Sequence, residues 1–336
     1  MKFSRILVEK AILNENATQK ILAKLSSCPY EVVNSYLDYF EKVRKPYLHK
    51  RTNLYLYLAQ KKGELVKEAP NAYGTRGESH FYYYNALNCI YECEYCYLQG
   101  YFSSPDIVLF LNHEEILAAI EERATQQPGR IWFHGGEFSD SLALAHLSGE
   151  LLLFAEFFSK RPRLQWELRT KSANIRPLLS IDPTPNIHVS FSISPPSLAR
   201  LLEHKAAPVE LRLRAARRLI EKNFSVAFHC DPIVAQPHVE EEYRALAKSI
   251  AEQIPIEAIR YISLGALRFP QGVYDEVRHN YPKSFLFHQY MIPSQDKKMR
   301  YRKYLRRQLL QKVQNAFLSS GFLPEQLYFC MEDDME

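Results

Sequence analysis

The chain contains 336 residues, of which 46% are hydrophobic and 24% are charged. These fractions are typical of a folded globular protein and exclude a disordered or low-complexity chain. The longest apolar run, residues 151–158, contains Glu156 and is far shorter than the ~20 residues that span a bilayer, so we expect no membrane association. The formal net charge of +5 is too small to establish a nucleic-acid partner by itself.

The spacing of apolar residues predicts helices first and then a regular alternation of strands and helices. Residues 17–43 carry apolar side chains at helical spacing, which predicts two short helices, and residues 68–79 are typical of an irregular linker. Strand-like runs follow at 80–86, 129–134, 164–170, 187–193, 224–230 and 257–266. Helical patterns lie near residues 113–126, 142–159, 174–180, 197–221 and 239–253. Strands that alternate with helices indicate a parallel sheet with crossover helices.

These repeated units predict an α/β fold, a partial (β/α)6 barrel with an N-terminal α-rich extension and a C-terminal extension. The predicted segments are 1–79, 80–270 and 271–336. Ligands of α/β barrels gather at the C-terminal ends of the strands. We therefore expect the functional residues directly after the strand-like runs.

Three cysteines lie on one short segment after the first strand-like run. Cys89, Cys93 and Cys96 have the spacing C-x3-C-x2-C. Three thiolates can hold three irons of a [4Fe–4S] cluster and leave the fourth iron open. Zinc also accepts thiolates, but structural zinc sites usually combine two pairs of ligands, and the sequence has no second C-x2-C pair. A disulfide framework needs an oxidising compartment; we expect no signal peptide and a cytoplasmic location.

The cysteine spacing, with Tyr95 just before the last cysteine, resembles the signature of the radical S-adenosylmethionine (SAM) superfamily. This resemblance implies that the open iron chelates SAM and that an electron from the cluster breaks SAM to a 5′-deoxyadenosyl radical. Gly135, Gly136 and Glu137 follow the second strand-like run and resemble the motif that holds the SAM amino group in this superfamily. Glycines allow backbone groups to approach a ligand closely.

Further short motifs occur in order over most of the chain. They are Cys-x-Tyr-Cys-Tyr-Leu-Gln at 93–99, Ser-Asp at 139–140, Thr-Lys at 170–171, Phe-Ser-Ile at 191–193, Pro-Ile at 232–233, Leu-Arg-Phe at 267–269, Lys-Met-Arg-Tyr at 298–301 and Cys-Met-Glu at 330–332. Together they resemble the spore photoproduct lyase family, which repairs a methylene-bridged thymine dimer in ultraviolet-damaged DNA with a SAM radical. The resemblance implies two partners, DNA containing a pyrimidine photolesion and an electron donor such as flavodoxin or ferredoxin.

The resemblance also implies roles for individual side chains. Lys171 would offer an ammonium group to the SAM carboxylate, and Ser139 and Ser192 would donate hydroxyl hydrogen bonds to the same ligand. Without the family context, a solvated lysine and turn or cap serines are the alternatives. Tyr95 and Tyr97 flank the last cysteine, and the matching tyrosines of the spore enzyme are implicated in returning a hydrogen atom. For both tyrosines, packing beside the cluster is the alternative.

One position departs from the family pattern. The spore enzyme has a hydrogen-donating cysteine three residues before the aspartate of its Ser-Asp pair, and this chain has Glu137 there. A carboxylic acid offers no comparable hydrogen atom, because its O–H bond is much stronger than S–H. Cys230, at the end of the fifth strand-like run, is the candidate substitute, although a lone buried cysteine is more often a core residue. Side chains alternate along a strand, so either Cys230 or its neighbour His229 points inward, and His229 is then a candidate substrate contact.

A basic run near the C-terminus completes the predicted site. Lys298, Arg300 and Arg302 lie around Tyr301, a mixture suited to phosphate contacts and base stacking. In the family, the pair matching Arg300 and Tyr301 wedges the damaged site open. The alternative for the run is the solvated face of a helix. For the whole chain, the alternatives are a radical SAM enzyme with an unrelated small-molecule or peptide substrate, and a non-catalytic cluster-bearing nucleic-acid-binding protein.

Overall fold

The computed structural model describes residues 2–40, 42, 45–70, 73–74 and 77–332. Parts of the predicted linker 68–79 and of the predicted helical segment 17–43 lie outside these ranges. Its α-helices are Asn16–Lys24, Leu37–Phe40, Tyr47–Lys50, Leu98–Tyr101, His113–Thr125, Ala145–Ser148, Glu150–Ser159, Pro196–Leu202, Val209–Ile220, Val239–Gln253, Gln271–Asn280 and Lys303–Leu318. No helix in this part of the chain has the length and apolar character needed to cross a membrane.

An eight-stranded sheet forms the centre of the molecule. In sheet order its strands are Leu327–Phe329, Ile259–Ala266, Ser225–Ile233, Ile187–Ser192, Leu164–Thr170, Ile131–Gly135, Ser79–Tyr83 and Val66–Glu68. Neighbouring strands are parallel, apart from the antiparallel pair at the Val66–Glu68 edge. We call the six strands from Ser79–Tyr83 to Ile259–Ala266 the barrel strands, first to sixth in chain order. All six were predicted, with boundaries that differ by at most three residues.

Alternation along the barrel strands separates an apolar outer face from a polar inner face. Phe133, Trp166 and Phe228 are buried in the main apolar core, which includes inward-facing residues of the surrounding helices. His134 and Glu167 occupy the opposite face of their strands; they are also buried, but they contact each other by a hydrogen bond. Polar groups line the inside of the barrel, so it can accept a polar ligand.

The N-terminal segment contains strands that its helical pattern did not predict. A second sheet has the order Tyr30–Val33, Arg5–Glu9, Tyr55–Ala59, Ile107–Phe110 and Ala86–Leu87. The first predicted helix is confirmed at Asn16–Lys24. The second is confirmed only at Leu37–Phe40, because Tyr30–Val33 is a strand that pairs in parallel with Arg5–Glu9. The two valines of Tyr30–Val33 favour extended backbone because they are branched at Cβ. This sheet takes strands from both sides of residue 79, and the predicted division into three segments stays a prediction.

The helix predicted over 197–221 is interrupted. Helices Pro196–Leu202 and Val209–Ile220 are separated by Glu203–His204, which pairs antiparallel with Glu92–Cys93 of the cysteine loop. Pro208 directly precedes the second helix, where a proline is compatible with helix initiation but not with helix continuation. The interruption therefore places a buried carboxylate, that of Glu203, beside the cysteines.

A small antiparallel sheet follows the sixth barrel strand. Its order is Arg268–Pro270, Lys298–Tyr301 and Met291–Pro293, so the predicted C-terminal extension includes a hairpin. Helix Lys303–Leu318 then packs against helix Val239–Gln253, outside the barrel. The basic run is thus divided between a strand and the start of a helix.

Candidate active site

A cavity of about 400 Å³ lies at the C-terminal ends of the barrel strands. Most of the site residues predicted from the sequence line it. These are Cys89, Cys93, Cys96, Tyr95, Tyr97, Gly135, Gly136, Glu137, Ser139, Lys171, Ser192 and Lys298. The remaining predicted residues, Cys230, Arg300, Tyr301 and Arg302, are not in the cavity lining.

The cysteine loop is held from the N-terminal side by Arg51. This arginine is buried, and its guanidinium donates hydrogen bonds of 2.8 Å to the carbonyl oxygens of Cys89, Ile90 and Tyr91. The carboxylate of Glu92 lies 3.7 Å from Arg51 Nε. A planar guanidinium can serve several acceptors at once, so Arg51 fixes the backbone that carries the first cysteine. Sequence reasoning did not identify Arg51, because a single arginine far from any motif carries no signal.

The cysteines meet the chemical requirements of a cluster site. All six cysteines of the chain are unpaired, and burial raises the pKa of Cys93 to about 12. A thiol in this environment stays protonated unless a metal replaces the proton. The backbone N–H of Tyr91 donates to Cys89 Sγ at 3.4 Å, which favours the thiolate. Among the described residues no three His, Cys, Asp or Glu side chains form a site for a single metal ion. The cysteines of a cluster site need not converge on one ion, because each cysteine binds a different iron.

We expect Arg51→Met to loosen the cysteine loop. The substitution removes three charge-assisted hydrogen bonds and leaves buried carbonyl groups without donors, which should cost about 3 kcal/mol of unfolding free energy. Denaturant unfolding and iron content after reconstitution measure the two effects. Arg5→Met is the matched control, because Arg5 pairs with Glu31 on the surface and its loss should change stability by less than about 1 kcal/mol. Equal effects of the two variants would contradict the role of Arg51.

The glycine motif lies where the second barrel strand ends. Gly136 has a φ of +81°, and a Cβ at this position would lie 2.5 Å from Ser141 Oγ. Only glycine fits both constraints. Asp140 then fastens the loop to the third barrel strand, since its carboxylate accepts hydrogen bonds from the Thr170 hydroxyl at 2.7 Å and the Lys171 backbone N–H at 2.6 Å. The Ser-Asp pair noted in the sequence thus has a structural role through its aspartate.

Glu137 contacts two tyrosines in the cavity. The Tyr73 hydroxyl donates to Glu137 Oε2 at 3.1 Å, and the Tyr97 hydroxyl donates to the Glu137 carbonyl oxygen. Burial raises the pKa of both tyrosines well above their usual value, so both keep their hydroxyl protons. Glu137 is therefore bordered by two phenolic O–H groups. Tyr73 was not among the predicted site residues, because it follows an irregular segment without a recognisable pattern.

Lys171 lies in a buried charged network beside the cysteines. Its Nζ is 5.4 Å from the centre of the Tyr95 ring, and the Tyr95 hydroxyl donates to Glu203. Arg212 pairs with the same carboxylate from helix Val209–Ile220. Burial acts to lower the pKa of Lys171, but Cys93 and Glu203 outweigh it and raise the pKa above its usual value. Lys171 is therefore a half-buried cation that faces the cavity, where it can attract an anion.

The two predicted serines differ in their surroundings. Ser139 donates its hydroxyl hydrogen to the carbonyl oxygen of Asn88 at 2.6 Å, so it joins the glycine loop to the residue before Cys89. A hydroxyl has one hydrogen to donate, and Asn88 takes it in this structure, so the expected donation from Ser139 to SAM stays a prediction. Ser192 lines the cavity at the end of the fourth barrel strand. Its position is compatible with the expected contact.

Cys230 faces away from the cavity. It is fully buried in the main apolar core, together with Tyr243 of helix Val239–Gln253. His229 and Asp231, on the opposite face of the same strand, line the cavity. The proposed hydrogen-donor role of Cys230 is therefore wrong for this conformation, because the strand directs its thiol toward the helix layer. Burial also raises the pKa of Cys230 strongly, as expected of an inert core thiol.

The basic run does not form the surface that its composition predicted. Arg300 is buried and bonds to Asp296, at 2.7 Å, and to the Met331 carbonyl oxygen, at 2.9 Å. Tyr301 is buried and accepts a hydrogen bond from the Ala235 backbone N–H. Direct DNA contact by Arg300 and Tyr301 is therefore contradicted by their burial, because Asp296 and Met331 hold the Arg300 guanidinium and the Tyr301 ring lies in the main apolar core.

Lys298 and Arg302 remain accessible. Lys298 is half-buried, lines the cavity and pairs with Asp296 at 3.1 Å. Arg302 is exposed at the start of helix Lys303–Leu318. Lys298 can therefore meet a ligand in the cavity, and Arg302 is open to solvent.

The cavity also contains charged groups for which the sequence predicted no role in the site. Arg268 forms two hydrogen bonds with the Asp231 carboxylate, at 2.8 and 3.0 Å. A Cβ on Gly265 would lie 2.7 Å from that carboxylate, so the glycine makes room for this ion pair. Arg169 and His229 line the same cavity and share Glu167 as a partner. The alternation of polar and apolar residues along the strands was the available signal for these groups. It could be used only once the inward-facing side of each strand was known.

The model of the spore photoproduct lyase family matches residues 73–325 of this chain. The chain belongs to the spore photoproduct lyase family. Among curated relatives, the spore photoproduct lyase of Clostridium acetobutylicum is 24% identical over 200 residues, and that of Bacillus subtilis is 26% identical over 205 residues. These matches cover 59% and 60% of the relatives' lengths and equal shares of this chain.

Solved structures of spore photoproduct lyases have the same fold. One variant with bound AdoMet and dinucleoside spore photoproduct superposes with a TM-score of 0.82 at 19% identity, over 97% of this chain and 98% of its own. A second, in complex with dinucleoside spore photoproduct, gives a TM-score of 0.81 with the same coverage. The similarity extends over the N-terminal sheet and the C-terminal hairpin, and it confirms the predicted α/β partial barrel.

Proposed function

We propose that this protein is a radical SAM enzyme that repairs a methylene-bridged thymine lesion in DNA. The observation that carries the proposal is the cavity onto which the three loop cysteines, the Gly-Gly-Glu loop and the half-buried cation Lys171 converge. Family membership supports the lyase reaction. The alternatives, a radical SAM enzyme for another substrate and a non-catalytic nucleic-acid-binding protein, are outcomes of the experiments below.

The residues present fit both cofactors. Cys89, Cys93 and Cys96 would hold a [4Fe–4S] cluster, and the cluster with SAM would supply a 5′-deoxyadenosyl radical in the cavity. Gly135 and Gly136 line the cavity, so backbone groups of this loop would lie next to a bound ligand. Lys171 would bind the SAM carboxylate through its ammonium group. Partial removal of this charge from water strengthens its attraction to an anion.

The protein's own side chains would exclude water and hold the lesion. Tyr97 keeps its hydroxyl hydrogen-bonded to Glu137 at the cavity wall, and Tyr95 keeps its hydroxyl on Glu203. We propose that Tyr97 is the nearest hydrogen source for a substrate radical, since Cys230 faces the helix layer. An electron donor such as flavodoxin or ferredoxin and a cytoplasmic location belong to the same proposal.

DNA would reach the cavity past the C-terminal hairpin. If Lys298 and Arg302 contact phosphates, replacing either with Ala should weaken DNA binding and reduce the slope of log affinity against log salt by roughly one. Titrations of labelled duplex at several salt concentrations measure this slope. Lys160→Ala, which removes an exposed cation paired with Glu156 on an outer helix, should leave it unchanged. An unchanged slope in the Lys298→Ala and Arg302→Ala variants would mean that DNA binds elsewhere on the protein.

The proposed function is tested with anaerobically reconstituted protein, SAM, a reductant and dinucleoside spore photoproduct. We expect release of 5′-deoxyadenosine or methionine and conversion of the lesion to thymidines. Chromatography of the reaction mixture measures all of these products. SAM cleavage with an intact lesion would favour a radical SAM enzyme for another substrate. No SAM cleavage, with retained DNA binding, would favour a non-catalytic binding protein.

A further inference from the structure

We propose that His229 reads the imide N–H group of a thymine in the lesion by accepting a hydrogen bond at Nδ1. This inference rests on the proposed function and adds a residue that determines base specificity. It follows from the polar interior of the barrel, where one carboxylate organises the surrounding side chains.

Glu167 is the centre of this interior network. It is buried on the third barrel strand, and its carboxylate contacts the side chains of His134, Arg169, Ser190, His229 and Tyr261. Burial alone would raise its pKa, but Arg169 and the two histidines outweigh this and hold the pKa well below its usual value. Glu167 is therefore a carboxylate that only accepts hydrogen bonds.

The contact with Glu167 fixes the tautomer of His229. His229 Nε2 lies 2.8 Å from Glu167 Oε1, so Nε2 carries the hydrogen and donates it to the carboxylate. Burial, assisted by the positive charge of Arg169, lowers the pKa of His229, and the ring is neutral. A neutral imidazole with a protonated Nε2 presents a lone pair at Nδ1.

The Nδ1 atom has no hydrogen-bond partner within the described residues, although His229 is only 1% exposed. A buried acceptor of this kind is costly unless a ligand or water supplies a donor. His229 lines the cavity, so a bound substrate can supply that donor. The site therefore has an unmet requirement for an N–H or O–H group.

Arg169 provides the complementary group. It lines the same cavity, shares Glu167 with His229, and its Nε is a second buried polar atom without a partner in the described structure. Nε carries a hydrogen, so the two residues present one donor and one acceptor. A thymine imide offers the matching pair, an N–H group next to a carbonyl oxygen, on the edge that enzymes read in an extruded base.

The test is a double-mutant cycle on binding to the reconstituted protein with SAM present. The ligands are dinucleoside spore photoproduct and its 3-deaza analogues, in which a C–H group of the same size replaces one imide N–H at a time. For the wild-type protein, one analogue should bind at least about tenfold more weakly, because it leaves Nδ1 without a donor. For His229→Gln, the same two ligands should bind within about twofold of each other.

The choice of variants separates specificity from folding. Glutamine can keep a donor on Glu167 while losing the Nδ1 acceptor, and His229→Asn can keep an acceptor near the Nδ1 position while giving up the Glu167 contact. We expect discrimination to be lost in His229→Gln and partly kept in His229→Asn, with thermal unfolding recorded for each. Equal discrimination in wild type and His229→Gln would overturn the inference while leaving the proposed function intact. A wild-type protein that repairs no lesion would overturn the proposed function and this inference with it.

Discussion

Cys93→Ala should lose the brown colour of the reconstituted protein and cleave no SAM. Cys93 lies in the middle of the loop, where it also pairs with the Glu203–His204 strand, and its thiol faces the cavity. Two remaining thiolates cannot hold the cluster with the open iron that SAM requires. Iron content should fall from about four per chain to near zero. Iron analysis, visible absorption and chromatography of 5′-deoxyadenosine measure the loss.

The matched control for this loss is Cys28→Ala. Cys28 lies in the N-terminal segment, where its thiol donates to the Phe3 carbonyl oxygen at 3.2 Å and does not line the cavity. This variant removes one thiol from the same chain, yet it should retain iron and SAM cleavage. A Cys93→Ala protein that cleaves SAM as fast as the Cys28→Ala control would remove the basis of the cluster assignment.

Glu137→Cys should increase clean repair of the lesion relative to the wild-type protein. The substitution restores an S–H group beside Tyr97, at the position where the family pattern carries its hydrogen donor. A thiol transfers a hydrogen atom to a carbon radical far more readily than a carboxylic acid does. We expect the ratio of restored thymine to thymine adducts to rise several-fold, measured by mass spectrometry of digested DNA. The variant also alters the Gly-Gly-Glu loop, so SAM binding should weaken at the same time.

Glu137→Ser distinguishes these two effects. It has nearly the same shape as the cysteine variant and loses the same contact with Tyr73, but it offers no S–H group. We expect weaker SAM binding in both variants and improved product ratios only with cysteine. Equally clean repair by the serine and cysteine variants would show that the hydrogen comes from a source other than a thiol at position 137, with Tyr97 and Tyr73 as the nearest phenols.

The barrel and the cluster loop could be predicted because their signals are local. Apolar and polar residues alternate over short stretches such as the barrel strands Leu164–Thr170 and Ile187–Ser192, and Cys89, Cys93 and Cys96 lie within eight residues. The catalytic end of the barrel followed from the general rule for α/β folds. The strand Tyr30–Val33 was missed because the spacing of its apolar residues also fits a helix, and only pairing with Arg5–Glu9 decides between the two.

Long-range contacts account for the other differences. Arg300 was expected at the DNA surface, but Asp296 and Glu332 surround its guanidinium, and no local pattern indicates that Glu332 returns to this hairpin. The alternation on the fifth barrel strand allowed either Cys230 or His229 to face the cavity. Packing against the helix layer directs Cys230 into the core, so His229 faces the cavity. Arg51 is separated by 38 residues from the first carbonyl group it holds, so its role depends entirely on the tertiary structure.

The most direct measurement uses a DNA duplex with one methylene-bridged thymine lesion at a known position. Wild-type protein, reconstituted without oxygen and supplied with SAM and a reductant, should convert the lesion to two adjacent thymines, and Cys93→Ala should leave it unchanged. Mass spectrometry of the digested duplex detects both species. We predict that the lesion disappears with the wild-type protein in the presence of SAM. It should persist without SAM and with Cys93→Ala. An intact lesion despite continued release of 5′-deoxyadenosine would contradict the proposed repair function.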